Sequence, residues 1–415
     1  MEPSNPLNPK RTTLRSKARK IRSGDSNVKL KPVNQQVVVI IGASSGIGRA
    51  TALLFAKKGA CVVVAARGEK GLDSLVHEIQ GKGGNAMAVV ADVADVEQVK
   101  HVANRAIAEH GRIDTWVNVA AVSVWATVEQ TRPEEFKRIL EVNLLGQIHG
   151  ALAALPHLRA QGRGALIHVS SVEGRVSLPF NSAYAASKHG VQGFLGSLRL
   201  ELMRERLPIA VTAIMPASID TPFFEHALTR LGVQPRGAAP VYQPELVARA
   251  IVDAAEKPAR EIVVGGGGMM LLFAKRVSPR LVEQILLTRV GFESQLTSKA
   301  KSSEAPNNLF APLPDAKHLI HGSLGAEASA TSLLTRIEMS APVRVVRSAT
   351  LPVLKLAARG IAALWALRLS ADARKVGRER HAQAHAAAPR TEAPVEIRCE
   401  VKLPKRHTTS GKKKR

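Results

Sequence analysis

Tyr184 and Lys188 stand four residues apart in Tyr184-Ala185-Ala186-Ser187-Lys188. Side chains at i and i+4 share one helix face, so a helix here sets the Lys188 ammonium beside the Tyr184 phenol. A free phenol titrates near pH 10, and a neighbouring cation lowers that value. Such a pair can give or take a proton at an oxygen near neutral pH, as hydride transfer to or from a carbonyl demands. The spacing is common by chance; its weight comes from its neighbours. Ser170 and Ser171 lie just upstream, and Asn143 falls inside a predicted helix, where asparagine is a poor interior residue and needs a reason.

A second stretch suits anion binding. Gly42-Ala43-Ser44-Ser45-Gly46-Ile47-Gly48 follows an apolar run and opens a helical one. Glycines let the chain turn tightly and bring backbone N–H groups to a pyrophosphate, while the helix N-terminus adds about half a positive charge. Where the second strand ends, an acid would bind ribose hydroxyls and repel a 2′-phosphate. Ala66-Arg67 stands there instead, and Arg67 can pair bidentately with that phosphate.

The elements that must position these groups are legible as alternation. Apolar runs at 37–41, 62–66, 86–91, 115–119, 165–170, 209–215 and 261–264 predict seven strands. Between them, 47–58, 72–80, 96–110, 133–159, 182–206 and 244–256 have helical period. Strands alternating with helices imply βαβ units and a parallel sheet covered on both faces. The glycines at 265–268 are expected to close the regular part. Residues 269–287 then read as one or two helices packed on the domain, and 298–340 as loop. The expected organisation is a disordered basic tail (1–35), a catalytic domain (36–268), appended helices and loops (269–340), an amphipathic basic helical segment (341–370) and a disordered basic tail (371–415).

Charge follows the same division. Of a formal net charge of +25, residues 1–35 carry +7 and 297–415 carry +13, leaving a near-neutral centre. Hydrophobic residues at 45% and charged residues at 22% match a soluble globular chain. Two cysteines cannot build a disulfide framework, which fits a reducing, cytoplasmic setting. The N-terminal 35 residues lack the apolar stretch of a secretory signal. Lys355 and Arg359 interrupt 342–369, so a transmembrane span is disfavoured and a weak contact with anionic membrane, or docking on the core, is expected. No zinc-type spacing is present, no metal is expected, and Ser187 lacks the G-x-S-x-G elbow of a hydrolase.

The G-x-x-x-G-x-G spacing of 42–48, with Tyr184-x-x-x-Lys188, Ser171 and Asn143 in order, resembles the short-chain dehydrogenase/reductase family over roughly residues 36–268. The resemblance implies a Rossmann-type α/β fold, a doubly wound parallel seven-stranded sheet, here followed by a mainly helical or disordered C-terminal extension. It implies that Ser171, favoured over Ser170, positions the substrate oxygen, that Lys188 also binds ribose, and that Asn143 holds a water in a proton relay. It places Gly42, Ser44, Ser45, Gly46, Ile47, Gly48, Arg67, Asp92, Val93, Asn118, Ala120, Tyr184, Lys188, Pro216 and Thr221 at the cofactor. Asp92 either contacts adenine or caps the next helix. Ile41 replaces the family's threonine, and the runs Asn118-Val119-Ala120-Ala121 and Pro216-Ala217 depart from the family pattern. The implied activity is NADP-dependent interconversion of carbonyl and alcohol on a small or lipid-like substrate, with NAD as the alternative cofactor. The pocket wall is expected from 223–242 with Trp125 and Phe180, and a dimer or tetramer from the helices carrying Asn143 and Tyr184. The competing reading is a non-enzymatic NADP-binding scaffold whose basic tails bind membrane or nucleic acid, although they hold no specific nucleic-acid motif.

Overall fold

Near-continuous runs of Val, Ile and Ala are what a sheet buried on both faces requires. The computed structural model describes residues 28–288, 291, 293–313, 319–325 and 327–340. In it these runs form one seven-stranded sheet: β1 (Val37–Ile41), β2 (Cys61–Ala66), β3 (Asn85–Val90), β4 (Thr115–Asn118), β5 (Gly164–Val169), β6 (Ile209–Pro216) and β7 (Glu261–Val264). Every pairing is parallel, and the spatial order is β7-β6-β5-β4-β1-β2-β3. Strand order reverses between β1 and β4, and the crevice at such a switch point, beyond the strands' carboxyl ends, is where this architecture binds ligands.

Alternate strand residues feed two cores. Val38 and Ile40 of β1 face α1 (Gly46–Lys57), α2 (Glu69–Gly81) and α7 (Pro244–Ala254), with Phe55, Leu72 and Val247 fully buried between. Val39 and Ile41 face the other way, toward α3 (Val96–His110), α5 (Gly146–Gln161) and α6 (Ser182–Glu205), whose Val102, Ala154 and Leu195 fill that side. A one-residue slip would exchange the two sets, so the register is firmly specified.

Several expected boundaries move. The helix expected over 133–159 is three pieces: α4 (Pro133–Leu140), a π-helical turn at Glu141–Leu145, and α5. Asn143 sits in that turn. Order begins before residue 36: Val33 is buried, its N–H donates to the Glu256 carboxylate (2.8 Å), and Val28 and Leu30 pack on the core. The glycines at 266–268 do not end the regular part but open α8 (Gly266–Val277), followed by α9 (Pro279–Leu287). A strand, Leu296–Ala300, antiparallel to Val233–Pro235, runs into the start of the stretch expected as loop, and α10 (Leu333–Met339) lies within it. The basic tail before residue 28 and the segments 341–370 and 371–415 lie outside the described residues.

Candidate active site

The glycine turn sits at the switch point. Gly42 has φ +88°, and a Cβ on it would lie 2.5 Å from the Ala120 nitrogen; a Cβ on Gly48 would lie 2.0 Å from the Gly42 carbonyl oxygen. Both close approaches therefore demand glycine. Helix α1 starts here with no side-chain cap and no acid in its first turn, so the positive end of its dipole favours an anion. This cradle fits the phosphates of a dinucleotide. Ser44, Ser45, Gly46, Ile47 and Gly48 line the cleft beside Arg67, Asp92, Val93, Ala120, Pro216 and Thr221.

Ser171, Tyr184 and Lys188 line the same cleft. Ser171 follows β5; Tyr184 and Lys188 lie on the first two turns of α6. The Ser171 hydroxyl accepts from the Glu173 N–H (3.0 Å) and is the one group that draws the Tyr184 phenol's titration downward. Ser170 turns its hydroxyl to the Lys188 carbonyl (3.4 Å), so the tandem serines have separate duties. The Lys188 ammonium, almost wholly buried, donates to the Val169 carbonyl (3.0 Å) and stands 5.4 Å from the centre of the Tyr184 ring.

That placement corrects the electrostatic expectation. Lys188 lies over the ring face rather than at the hydroxyl. Burial pushes the phenol above its ordinary value, the charge of Glu173 pushes the same way, and only the Ser171 hydrogen bond pulls it down. Burial also brings the Lys188 ammonium down to about 7, against the upward pull of Glu173. Glu173 itself is held up at about 8, again by burial, opposed by its hydrogen bond from Asn181 and by Lys188.

Glu173 went unread in the sequence. It lies two residues past Ser171 in a short 3-10 turn, lines the cleft, and is buried. Asn181 donates to its two carboxylate oxygens (3.4 and 3.5 Å) and accepts from Ser123 Oγ (2.8 Å). A lone acid between the serine and the tyrosine was the available signal.

Two expected site residues stand back from the cleft lining. Asn143 is fully buried; its side chain accepts from Val122 N–H (2.8 Å) and donates to Val122 C=O (2.9 Å) and Ser187 Oγ (3.3 Å). It thereby ties the π-helical turn to the loop after β4. Asn118 accepts from the Trp116 indole (3.0 Å) and approaches His168 Nδ1 (3.3 Å), which in turn bonds Gln147 (2.9 Å). It braces β4, β5 and α5 from outside the cleft lining. Asp92 does not cap α3, because Asp95 does, accepting from the N–H groups of Glu97 and Gln98; Asp92 pairs with Arg138 (2.6 Å). Arg67 donates to the carbonyls of Asn308 (2.6 Å) and Leu309 (3.4 Å), and Gly46 N–H to that of Leu319 (2.9 Å). The C-terminal extension thus borders the cofactor end of the cleft. Contacts made through backbone carbonyls leave no trace in residue types.

The other end is apolar. Trp125, Leu178, Phe223 and Phe224 line it, with Phe223 packed 5.6 Å from both Tyr184 and Phe224, centroid to centroid. Of the expected wall, Phe180 is absent from the lining; its carbonyl instead accepts from Ala126 N–H (3.0 Å).

Residues 36–231 match the family model for short chain dehydrogenase. The chain is 40% identical over 287 residues to the uncharacterized oxidoreductase YxnA of Bacillus subtilis, an alignment covering 69% of this chain and 80% of that one. It is 32% identical over 271 residues to dehydrogenase/reductase SDR family member 7B of Xenopus tropicalis, covering 63% and 87%. A 3-ketoacyl-ACP reductase from Sinorhizobium meliloti has the same fold, with a TM-score of 0.51 at 29% identity over 57% of this chain and 99% of that one. With its glycine cradle and its Ser-Tyr-Lys cluster in one cleft, the chain belongs to the short-chain dehydrogenase/reductase family, oxidoreductases that act on CH–OH and C=O groups with NAD(P).

Proposed function

We propose that the protein is an NADP-dependent reductase of hydrophobic, small or lipid-like carbonyl compounds, working in the cytoplasm. The observation that carries this is the meeting of Ser171, Tyr184 and Lys188 between the glycine turn and an aromatic-walled pocket. The nicotinamide supplies the hydride. Tyr184, held protonated by burial, gives its proton to the forming alkoxide in reduction and takes it back in oxidation. Ser171, lining the same cleft as that phenol, orients the substrate oxygen. Lys188, titrating near neutrality, returns the proton, and Asn143 fixes the π-helical turn behind it.

NADP is favoured by Arg67, the residue at the end of β2 where no acid stands. Its hydrogen bonds go to neutral carbonyls, and Asp92, whose charge it also feels, is ion-paired with Arg138, which supports a 2′-phosphate as the further partner of its guanidinium. Carbonyl reduction agrees with the name of the Sinorhizobium meliloti relative. Leu145, Leu152, Leu200 and Met203, exposed on the π-helical turn, α5 and α6, support assembly through those elements. A panel of ketones, aldehydes and alcohols assayed with both cofactors tests the reading. NADPH oxidation on apolar ketones, faster than with NADH and weakened selectively in Arg67→Ala, is expected; turnover with NADH alone would overturn it.

A further inference from the structure

Helices α8 and α9 hold six of the sixteen large apolar side chains exposed among the described residues, far more than chance would place in so short a stretch. On α8, Met270, Phe273 and Val277 are spaced i, i+3, i+7, one stripe of the helix; on α9, Leu281 and Ile285 are spaced i, i+4, with Leu287 beyond them. Phe273 is 70% and Leu287 75% exposed, so these are not rim residues of a core. The adjoining faces are anchored: Met269 and Leu272 pack on Val172, Met215 and Val263, and Val282 is buried. The pair is therefore docked on the domain by one side and presents a second apolar side outward, a kind of patch that marks an interaction surface.

Its charges choose the partner. The same two helices carry Lys275, Arg276 and Arg280, and the one acid, Glu283, is held by Lys275 (2.6 Å), so their side chains sum to a charge of +2. Helix α10, packed against α8, leads into 342–369, which in sequence carries five Lys or Arg and no Asp or Glu. A cover drawn from that segment, or from a second copy of the pair, would set basic residues against basic residues. An anionic lipid surface satisfies both the apolar stripe and the cations. No helix among the described residues is long and apolar enough to cross a membrane.

We propose that α8 and α9 form a monotopic docking surface that lies in the headgroup region of an anionic bilayer, with Met270, Phe273, Val277, Leu281 and Ile285 inserted. The basic tails add attraction, but the apolar stripe makes the contact. The test uses the full-length chain with Cys61→Ala and Cys399→Ala, labelled with an environment-sensitive nitrobenzoxadiazole dye at Phe273→Cys, or at Leu281→Cys should the first variant not fold. A Lys70→Cys label on α2 serves as the control. With phosphatidylcholine vesicles containing phosphatidylglycerol, a blue shift and several-fold brighter emission at 273 or 281, and not at 70, is expected, with little change on pure phosphatidylcholine. Co-sedimentation without any change at 273 or 281 would mean that the tails alone bind and would overturn the proposal. Emission already blue-shifted without vesicles would equally overturn it, showing the stripe covered by this chain or by a second copy.

Discussion

Tyr184, Lys188 and Glu173 share one dry corner, and burial acts on each according to the sign of its charge. The phenol and the carboxyl are pushed up and the ammonium down, so every group leans toward its neutral form. A protonated Tyr184 is the form that can donate in reduction. Glu173 has a measurable signature in stability. Between its ordinary value of 4.5 and its folded value of about 8, the folded chain binds more protons than the unfolded one, so its contribution to stability falls as pH rises through that window. Lys188, folded at about 7 against an ordinary 10.5, has the opposite slope above neutrality, where the unfolded chain holds the extra proton. Thermal melts across pH should therefore show wild type losing stability relative to Glu173→Gln between about pH 4.5 and about pH 8. Parallel curves would mean that the carboxyl titrates as an ordinary exposed one.

At the scale of elements, Asn118 gives a prediction that separates bracing from binding. Its side chain links Trp116 of β4 to His168 of β5, and His168 to Gln147 of α5. Asn118→Ala leaves buried polar partners unpaired and should cost about 1–3 kcal/mol in urea denaturation while leaving the KM for NADPH nearly unchanged. A rise in KM without loss of stability would return Asn118 to the cofactor. The strands were readable because a doubly covered sheet needs unbroken apolar runs; β1 and β7 fall where those runs begin and end. Chemistry with a fixed spacing was readable too, as in the glycine turn and the Tyr184–Lys188 step. The π-helical turn was not, because its cause is a pairing of Asn143 with Val122, twenty-one residues away. Nor was the border formed by Asn308, Leu309 and Leu319, which touches Arg67 and Gly46 through carbonyl oxygens that every residue possesses.

The whole molecule is a near-neutral catalytic domain with most of its surplus positive charge at the two ends of the chain. Among the described residues, ten of the sixteen exposed large apolar side chains gather in two places, the α8–α9 pair and the elements from the π-helical turn to α6. If the second gathering is the subunit contact, light scattering should find wild type as a dimer or larger, and Leu152→Glu with Leu200→Glu as a monomer; an unchanged mass would place the contact elsewhere. The central claim, that the Tyr184 hydroxyl passes the proton, is tested most directly by following deuterium from [4-²H]NADPH onto the carbinol carbon of a reduced ketone. Wild type should transfer the label, and Tyr184→Phe, folded and still binding NADPH, should do so about 10²–10⁴-fold more slowly. Equal rates in the two proteins would contradict the account.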